Sequence, residues 1–404
     1  MKFAHMADIH LGCWSSHPEL REMPSHAFEQ AIQICVQDAV DFIIIAGDFF
    51  DTALPSIDVM RHAAHILRTC KEAHIPVYVI PGSHDYSPTG KTMISVFEQA
   101  GLLTNVAQGT ESGTIYKPQF TLDKKTGAKL TGIVGKAGAL DIEYYKRLDR
   151  SIEQESGLKI FVFHAGIDEY KPRGFEALEM MSRDLLPRNF DYYATGHIHV
   201  RSVHEEQLGK KSYLVFPGPL FPASFPELEE YSSGFYTVHC SNTGVETLEW
   251  KPVQLHSVVV FSVNADKKTP DQVETEIATK IEESKLTGSI CLFKVKGTLA
   301  VGKPSDIAFD KLTALAAQHG ALAVKRNVQK LKAKEFEEIA SDTSLHVDDI
   351  ERRIITEYVQ KNPGASEERI AGLMQTLRER KREEETVATF EYAMKEGAKK
   401  VLDL

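Results

Sequence analysis

Residues 77–86 read VYVIPGSHDY, and the order of those letters decides what kind of fold to expect. Val77–Ile80 is a short, continuously apolar run rich in β-branched residues, the pattern of a strand buried on both faces. Pro81 and Gly82 end it, and Ser83, His84 and Asp85 follow at once. The same grammar recurs in FIIIAGD (42–48), IFVFHAG (160–166) and DYYATGH (191–197): a buried strand, a small residue, then a side chain able to bind a metal or move a proton. Between two of these strands, PSIDVMRHAAHILRTC (55–70) offers Ser56 as a helix cap and Ile57, Met60, Ala64 and Leu67 near helical spacing. Strands alternating with amphipathic helices predict an α/β layered domain, with its chemistry just past the strands' carboxyl ends.

The 404 residues are enough for two or three domains with cores of their own. The pattern changes near residue 254. Residues 255–330 read strand, helix, strand, helix, strand (VVVFSV, TPDQVETEIATKIEES, ICLFKVKG, DIAFDKLTALAAQHG, LAVKRNV) and carry no His–Asp cluster, so a structural or substrate-guiding α+β unit is expected there. Residues 331–404 turn charged and helical. Val347, Ile350, Ile354 and Tyr358 form one apolar stripe, NPG at 362–364 breaks the helix, and Ser366 caps another helix carrying Ile370, Leu373 and Leu377. Such stripes suit a partner protein, or they fold back on the body.

A formal net charge of -10 argues against coating nucleic acid by bulk electrostatics, though not against a local groove. Five scattered cysteines, none in a C-x-x-C pair, suggest neither a disulfide framework nor a thiolate zinc site. The amino terminus lacks a secretory pattern and no apolar run is long enough to span a bilayer, so an intracellular protein with no membrane segment is expected. The chain contains no Gly-rich Lys loop of the P-loop type, so any ATP handling belongs to a partner.

Five segments share one chemistry: Asp8 and His10, Asp48, His84 and Asp85, His164, and His197 and His199. In an extended segment residues two apart point the same way, so Asp8 with His10, and His197 with His199, are each expected to offer two ligands to one side. Mixed carboxylate and imidazole donors suit manganese, iron or zinc. Two cations about 3.5–4 Å apart can hold a phosphate and bring the pKa of a bound water towards roughly 7. Asp48 is the natural bridging ligand. His84 is then the acid facing the leaving oxygen, with Asp85 expected to fix its tautomer through the other ring nitrogen. Ser83 is a shorter and poorer ligand whose hydroxyl can still meet a hard cation.

The segments resemble the calcineurin-like metallophosphoesterase signature, D-x-H, G-D-x-x-D, G-N-H-D, H and G-H-x-H, across residues 8–199. Within it, HMADIHLG, GDFFD, ATGHIH and FPGPLFPASFPE are similar to the SbcD-type or meiotic recombination 11 nucleases of DNA double-strand-break repair. The resemblance implies a four-layer αββα core over residues 1–254, a DNA-capping domain over 255–330 and an ATPase-binding helical region over 331–404. It implies two Mn(II) per subunit, one held by Asp8, His10 and His199, the other by His164 and His197, with Asp48 bridging. His84 takes the family's catalytic-histidine position. Ser83 stands where the family has asparagine, and Asp51 where some relatives carry a second histidine. The implied activity is a manganese-dependent 3'-5' exonuclease and endonuclease acting on DNA ends, nucleoid-associated, with an SMC-like ABC ATPase partner. A homodimer is implied as well, with contacts around Met60 and Val96. Lys124–Lys125, Lys210–Lys211 and Lys325–Arg326 are candidate phosphate contacts. Two other readings stay open: a phosphatase or phosphodiesterase on small phosphoesters, and a catalytically weakened DNA-end scaffold.

Overall fold

A computed structural model of the chain describes residues 1–87, 90–136, 140–175, 178–230, 232–241, 243–334, 355–356, 359, 366–378 and 387–402. The elements run β1 (Lys2–Met6), α1 (Met23–Gln37), β2 (Phe42–Ala46), α2 (Ile57–Glu72), β3 (Val77–Ile80), α3 (Ile94–Gln99) and β4 (Thr104–Asn105). A hairpin of β5 (Gly109–Ser112) and β6 (Ile115–Pro118) precedes β7 (Thr121–Leu122), β8 (Lys129–Gly132), α4 (Ile142–Lys146), β9 (Lys159–Val162) and β10 (Tyr192–Ala194). Next come β11 (Ser202–Gln207), β12 (Lys211–Phe216), α5 (Phe225–Glu230), β13 (Gly234–Ser241) and β14 (Gly244–Pro252). The last are β15 (Val258–Asn264), α6 (Pro270–Glu282), β16 (Ile290–Leu299), α7 (Phe309–Gln318), β17 (Ala323–Asn327), β18 (Leu331–Ala333), α8 (Glu367–Leu377) and α9 (Val387–Leu402).

Two six-stranded sheets form the α/β core, in the orders β14-β13-β1-β2-β3-β4 and β11-β12-β10-β9-β8-β7. In the first, β1, β2, β3 and β4 are parallel and β13 joins β1 antiparallel. In the second, β8, β9, β10 and β12 are parallel, with β11 and β7 antiparallel at the edges. The inner faces meet in one apolar layer where Phe3, Phe42, Ile44 and Ile80 of the first sheet pack with Leu130, Ile160, Val162 and Tyr192 of the second. Phe42 stacks on Phe3 with centroids 5.0 Å apart, so Phe42→Ala would cost about 3–5 kcal/mol of stability. The outer face of the first sheet is covered by α1 and α2 through Phe28, Ile32, Ile66 and Leu67. That of the second is covered by α4 and short 3-10 turns through Tyr145, Ile152 and Leu186. Helices, sheet, sheet and helices make the four layers. Strands buried on both faces explain why their sequences are uninterrupted apolar runs instead of alternating ones.

Ser56 does cap α2, accepting from Val59 N–H at 3.3 Å. The helix buries Ala63, Ile66, Leu67 and Cys70, and Met60 and Ala64 of the expected stripe pack against the same core, whereas Ile57 is 79% exposed. All five cysteines are buried and free, as packing residues should be. No helix among the described residues is long and apolar enough to cross a membrane.

Cα packing divides the chain into a unit of Met1–Val263, Glu274–Val295 and Ala308–Gln329, and a unit of Asn264–Val273, Lys296–Ile307 and Lys330–Leu404. In the second unit α8 is capped by Ser366, which accepts from Arg369 N–H. A Cβ at Gly372 would lie 3.3 Å from Val401, and one at Gly397 3.0 Å from Thr376, so α8 and α9 approach closely and run antiparallel. Ile370 and Leu373 are half-buried and Leu377 is 64% exposed. Ile350, Ile354 and Tyr358 lie outside the described residues.

Candidate metal centre

Every expected ligand, and the candidate acid His84, sits in a loop after a parallel strand: Asp8 and His10 after β1, Asp48 after β2, Ser83 and His84 after β3, His164 after β9, and His197 and His199 after β10. The loops are stitched together by their backbones. Asp8 N–H donates to Gly47 O at 3.1 Å, His10 N–H to Asp48 O at 3.0 Å, and Leu11 N–H to Phe49 O at 3.0 Å. The β10 loop joins through His197 N–H, which donates to the Asp8 carboxylate at 3.0 Å.

The side chains converge in overlapping clusters. Potential ligand atoms of Asp8, His10 and His199 lie within 4.8 Å of one another, as do those of Asp48, His164 and His197, and those of His10, Asp48 and His84. The two-residue spacing does not act through strand pleating. Asp8 and His10 have φ of 51° and 46°, and His197 has φ of 80°, all left-handed. His197 therefore turns to Asp48 and His164 while His199 turns to Asp8 and His10, opposite to the extended-strand expectation. Asp48 is left-handed too, at φ 49°. Non-glycine residues in this region cost energy and are held there only by their surroundings, a condition met most often at functional sites.

The donor set fits divalent cations. His164 Nδ1 donates to Ala46 O at 2.8 Å, which leaves Nε2 facing the cluster, buried and without a hydrogen-bond partner. That atom is 3.1 Å from Asp48 Oδ2. His10 Nε2 and His199 Nε2 face each other at 3.2 Å, about the separation of two nitrogens that each sit about 2.1 Å from one ion. Charge points the same way. Burial works against a protonated His164, but the Asp48 carboxylate raises it to about 9. Burial likewise opposes protonation of His199, yet Asp8 and Glu227 lift it to about 11. Burial, helped by His164, lowers His197 to about 4. Buried carboxylates that draw protons onto neighbouring imidazoles mark a place where positive charge belongs.

Packing leaves little freedom. A Cβ on Gly82 would be 2.3 Å from Asp48 N and from its Oδ1, so only glycine lets the β3 loop pass this carboxylate. Across it, Ser83 Oγ donates to Asp48 Oδ2 at 3.3 Å and His84 N–H to Oδ1 at 2.8 Å.

The expected Asp85–His84 pair is not formed, which corrects the role given to Asp85. The buried Asp85 carboxylate accepts from Gly82, Phe49 and Phe50 N–H at 2.8, 3.1 and 2.9 Å. It staples the β3 loop to the β2 loop, and burial with Asp48 nearby pushes it up to about 7. His84 is oriented by Asp51 instead, through its main-chain carbonyl 2.7 Å from His84 Nδ1. A carbonyl can only accept, so Nδ1 carries the proton and the exposed Nε2 is left for a substrate.

Motif reading missed Glu227. It lies in α5, at the end of the FPASFPE segment, with an oxygen 3.1 Å from His199 Nδ1. Ala223 N–H and the Ser224 hydroxyl donate to the same carboxylate at 2.9 and 2.8 Å. A glutamate three residues after Ser224, at capping-box spacing, was the available signal. The basic pairs are engaged locally: Lys125 with Asp41 at 2.7 Å, Lys210 with Asp191 at 2.7 Å and Lys211 with Glu205 at 3.1 Å. Lys325 lies 4.9 Å over the Trp14 ring and Arg326 5.3 Å over Phe309.

Residues 1–201 match the family model described as calcineurin-like phosphoesterase. The DNA double-strand break repair protein Mre11 of Methanopyrus kandleri is 25% identical over 63% of this chain and 57% of its own. Its namesake in Methanococcus maripaludis is 30% identical over 58% of this chain and 62% of its own. That of Sulfolobus acidocaldarius is 24% identical over 87% and 89%. The chain thus spans about three fifths of the length of the first two relatives and most of the third. The motif order, the loops that bring it together and the residues matched agree: the chain belongs to the calcineurin-like phosphoesterases, with Mre11-type repair proteins as its relatives.

Proposed function

We propose that the chain is a dinuclear, manganese-dependent DNA nuclease that trims and nicks DNA ends, as a 3'-5' exonuclease and endonuclease, in double-strand-break repair. The observation that carries this is the convergence of Asp8, His10, Asp48, His164, His197 and His199 into two clusters on one rim. The Mre11 relatives support the choice of DNA. Asp8, His10 and His199 would hold one ion and His164 and His197 the second, with Asp48 between them. When bound, the ions supply an activated water and neutralise charge on the phosphate. His84, fixed by the Asp51 carbonyl, holds its Nε2 towards the leaving oxygen; in the imidazolium form, with Nδ1–H on the carbonyl, Nε2–H can give that oxygen its proton or a hydrogen bond. Asp85 keeps that loop in register with Asp48. Ser83 keeps its hydroxyl on Asp48, where it can reach the second ion in place of an amide.

The proposal includes the arrangement of residues 1–254 as nuclease, 255–330 as DNA-capping domain and 331–404 as the docking region for an SMC-like ABC ATPase, in an intracellular homodimer. Its test is hydrolysis with Mn(II) of end-labelled duplex DNA, single-stranded DNA and a chromogenic phosphodiester, assayed separately. Cleavage of DNA that disappears on chelation and in His84→Ala is expected. Cleavage of the chromogenic ester alone would replace the reading with a small-phosphoester phosphodiesterase. DNA binding without any cleavage would leave a scaffold.

A further inference from the structure

Beside the metal centre lies a cavity of about 730 Å³ whose lining includes Ser83, Tyr86, Tyr116, Lys136, Leu140 and Tyr144. Its size falls within the range of ordinary ligand pockets. Ser83 belongs to both places, since its hydroxyl also donates to the Asp48 carboxylate. The cavity and the phosphate-binding rim therefore share a wall.

The wall is aromatic and cationic. The loop after β3 provides Tyr86, the β5–β6 hairpin Tyr116, the segment after β8 Lys136, and α4 Tyr144. Tyr116 is seated by Gly109, where a Cβ would come within 2.6 Å of its ring. The Tyr144 ring meets Tyr116 edge-on at 5.0 Å and 70°. Lys136 Nζ donates to the Tyr144 hydroxyl at 2.9 Å and lies 4.7 Å from the ring centroid. The Arg147 guanidinium is 5.5 Å from the same ring. Glu111 also lines the cavity, but Arg147 is 3.7 Å from its carboxylate and offsets that charge. Leu140, 66% exposed, adds an apolar side chain to the lining.

Tyrosine faces and edges, a lysine and an apolar side chain, one residue from a phosphate site, match the chemistry of a nucleotide whose base is out of its stack. Bases stack on aromatic side chains without regard to sequence, because every base has a π-face. A base paired within a duplex cannot enter such a cavity unless it is extruded first. Resting on the nuclease reading above, we infer that this cavity receives the base of the nucleotide adjoining the scissile phosphate. The strand must therefore be unpaired at that position when it is cut.

The test compares a labelled single-stranded oligonucleotide with matched oligonucleotides in which one nucleotide flanking the cleavage position is replaced by an abasic tetrahydrofuran residue. The wild-type protein with Mn(II) is expected to cut the intact strand about tenfold or more faster, the scale of one stacked base. Tyr144→Ala is expected to bring that ratio towards one, Lys136→Ala to reduce it, and Tyr144→Phe to preserve most of it. Being a ratio within one protein, it is unaffected by a general loss of activity from imperfect folding. A wild-type ratio near one, or an unchanged ratio in Tyr144→Ala while DNA is still cut, overturns the inference and leaves the nuclease reading standing. If wild type cuts a chromogenic phosphodiester and no DNA, the nuclease reading fails instead. A 2-aminopurine deoxymononucleotide then decides the pocket: its fluorescence must be quenched by wild type and not by Tyr144→Ala, and equal emission with both refutes the cavity as a base site.

Discussion

The two halves of the metal centre are built from the same kinds of side chain and held in different ways. In the Asp8 half, His199 is backed by a carboxylate, Glu227 at 3.1 Å. In the Asp48 half, His164 is backed by a neutral carbonyl, Ala46 O at 2.8 Å. A carboxylate behind an imidazole makes it a more basic ligand than a carbonyl does. Against burial, His199 is raised to about 11 by Asp8 first and Glu227 after it, and His164 to about 9 chiefly by Asp48, with the Ala46 carbonyl adding least. The second half also has Ser83 near its carboxylate where the family pattern has an amide. The Asp8 half should therefore hold its ion more tightly, and the Asp48 half should be the one that fills and empties.

Four substitutions break or sharpen that contrast. Asp48→Ala should do the most, because it removes the carboxylate that serves both halves. Hydrolysis should fall by about 10³-fold or more, since several kcal/mol of electrostatic stabilisation is lost, and metal analysis of the purified protein should find fewer than two ions. His84→Ala should lower the hydrolysis rate by about 10²–10⁴-fold while calorimetric titration still counts two ions; loss of an ion would make His84 a ligand. Glu227→Gln should weaken the tighter ion by about 10–100-fold and leave the weaker one in place, a selective change that titration with Mn(II) resolves. Ser83→Asn should tighten the weaker ion by less than about tenfold, visible as a lower Mn(II) concentration at half-maximal rate. If it instead shifts the tighter ion, the two halves have been assigned the wrong way round.

Much of the core could be read from the letters because parallel strands buried on both faces must be apolar throughout. FIIIA, VYVI and YYA are β2, β3 and β10 as the runs suggested, and IFV lies within β9. The elements of residues 255–330 also fall where hydrophobic spacing put them. Of the α2 stripe Met60, Ala64 and Leu67 pack on the core and Ile57, the first residue of the helix, does not. At the site, residue types and loop order were legible, but backbone handedness was not. Nothing in D-x-H or G-H-x-H announces a left-handed residue, so the pleating argument failed although the ligands converged. Asp85 was misassigned because adjacency in sequence was taken for contact; its oxygens are occupied by three main-chain donors from two loops. Glu227 lay in a quoted segment and went unrecognised, since a supporting carboxylate has no motif of its own.

Asp8, His10, Asp48 and His197 all carry positive φ, at a cost of about 1–3 kcal/mol each. Glycine at any of the four positions would relax the backbone and remove a metal donor in the same exchange, so in this centre backbone strain and ligand set cannot be separated.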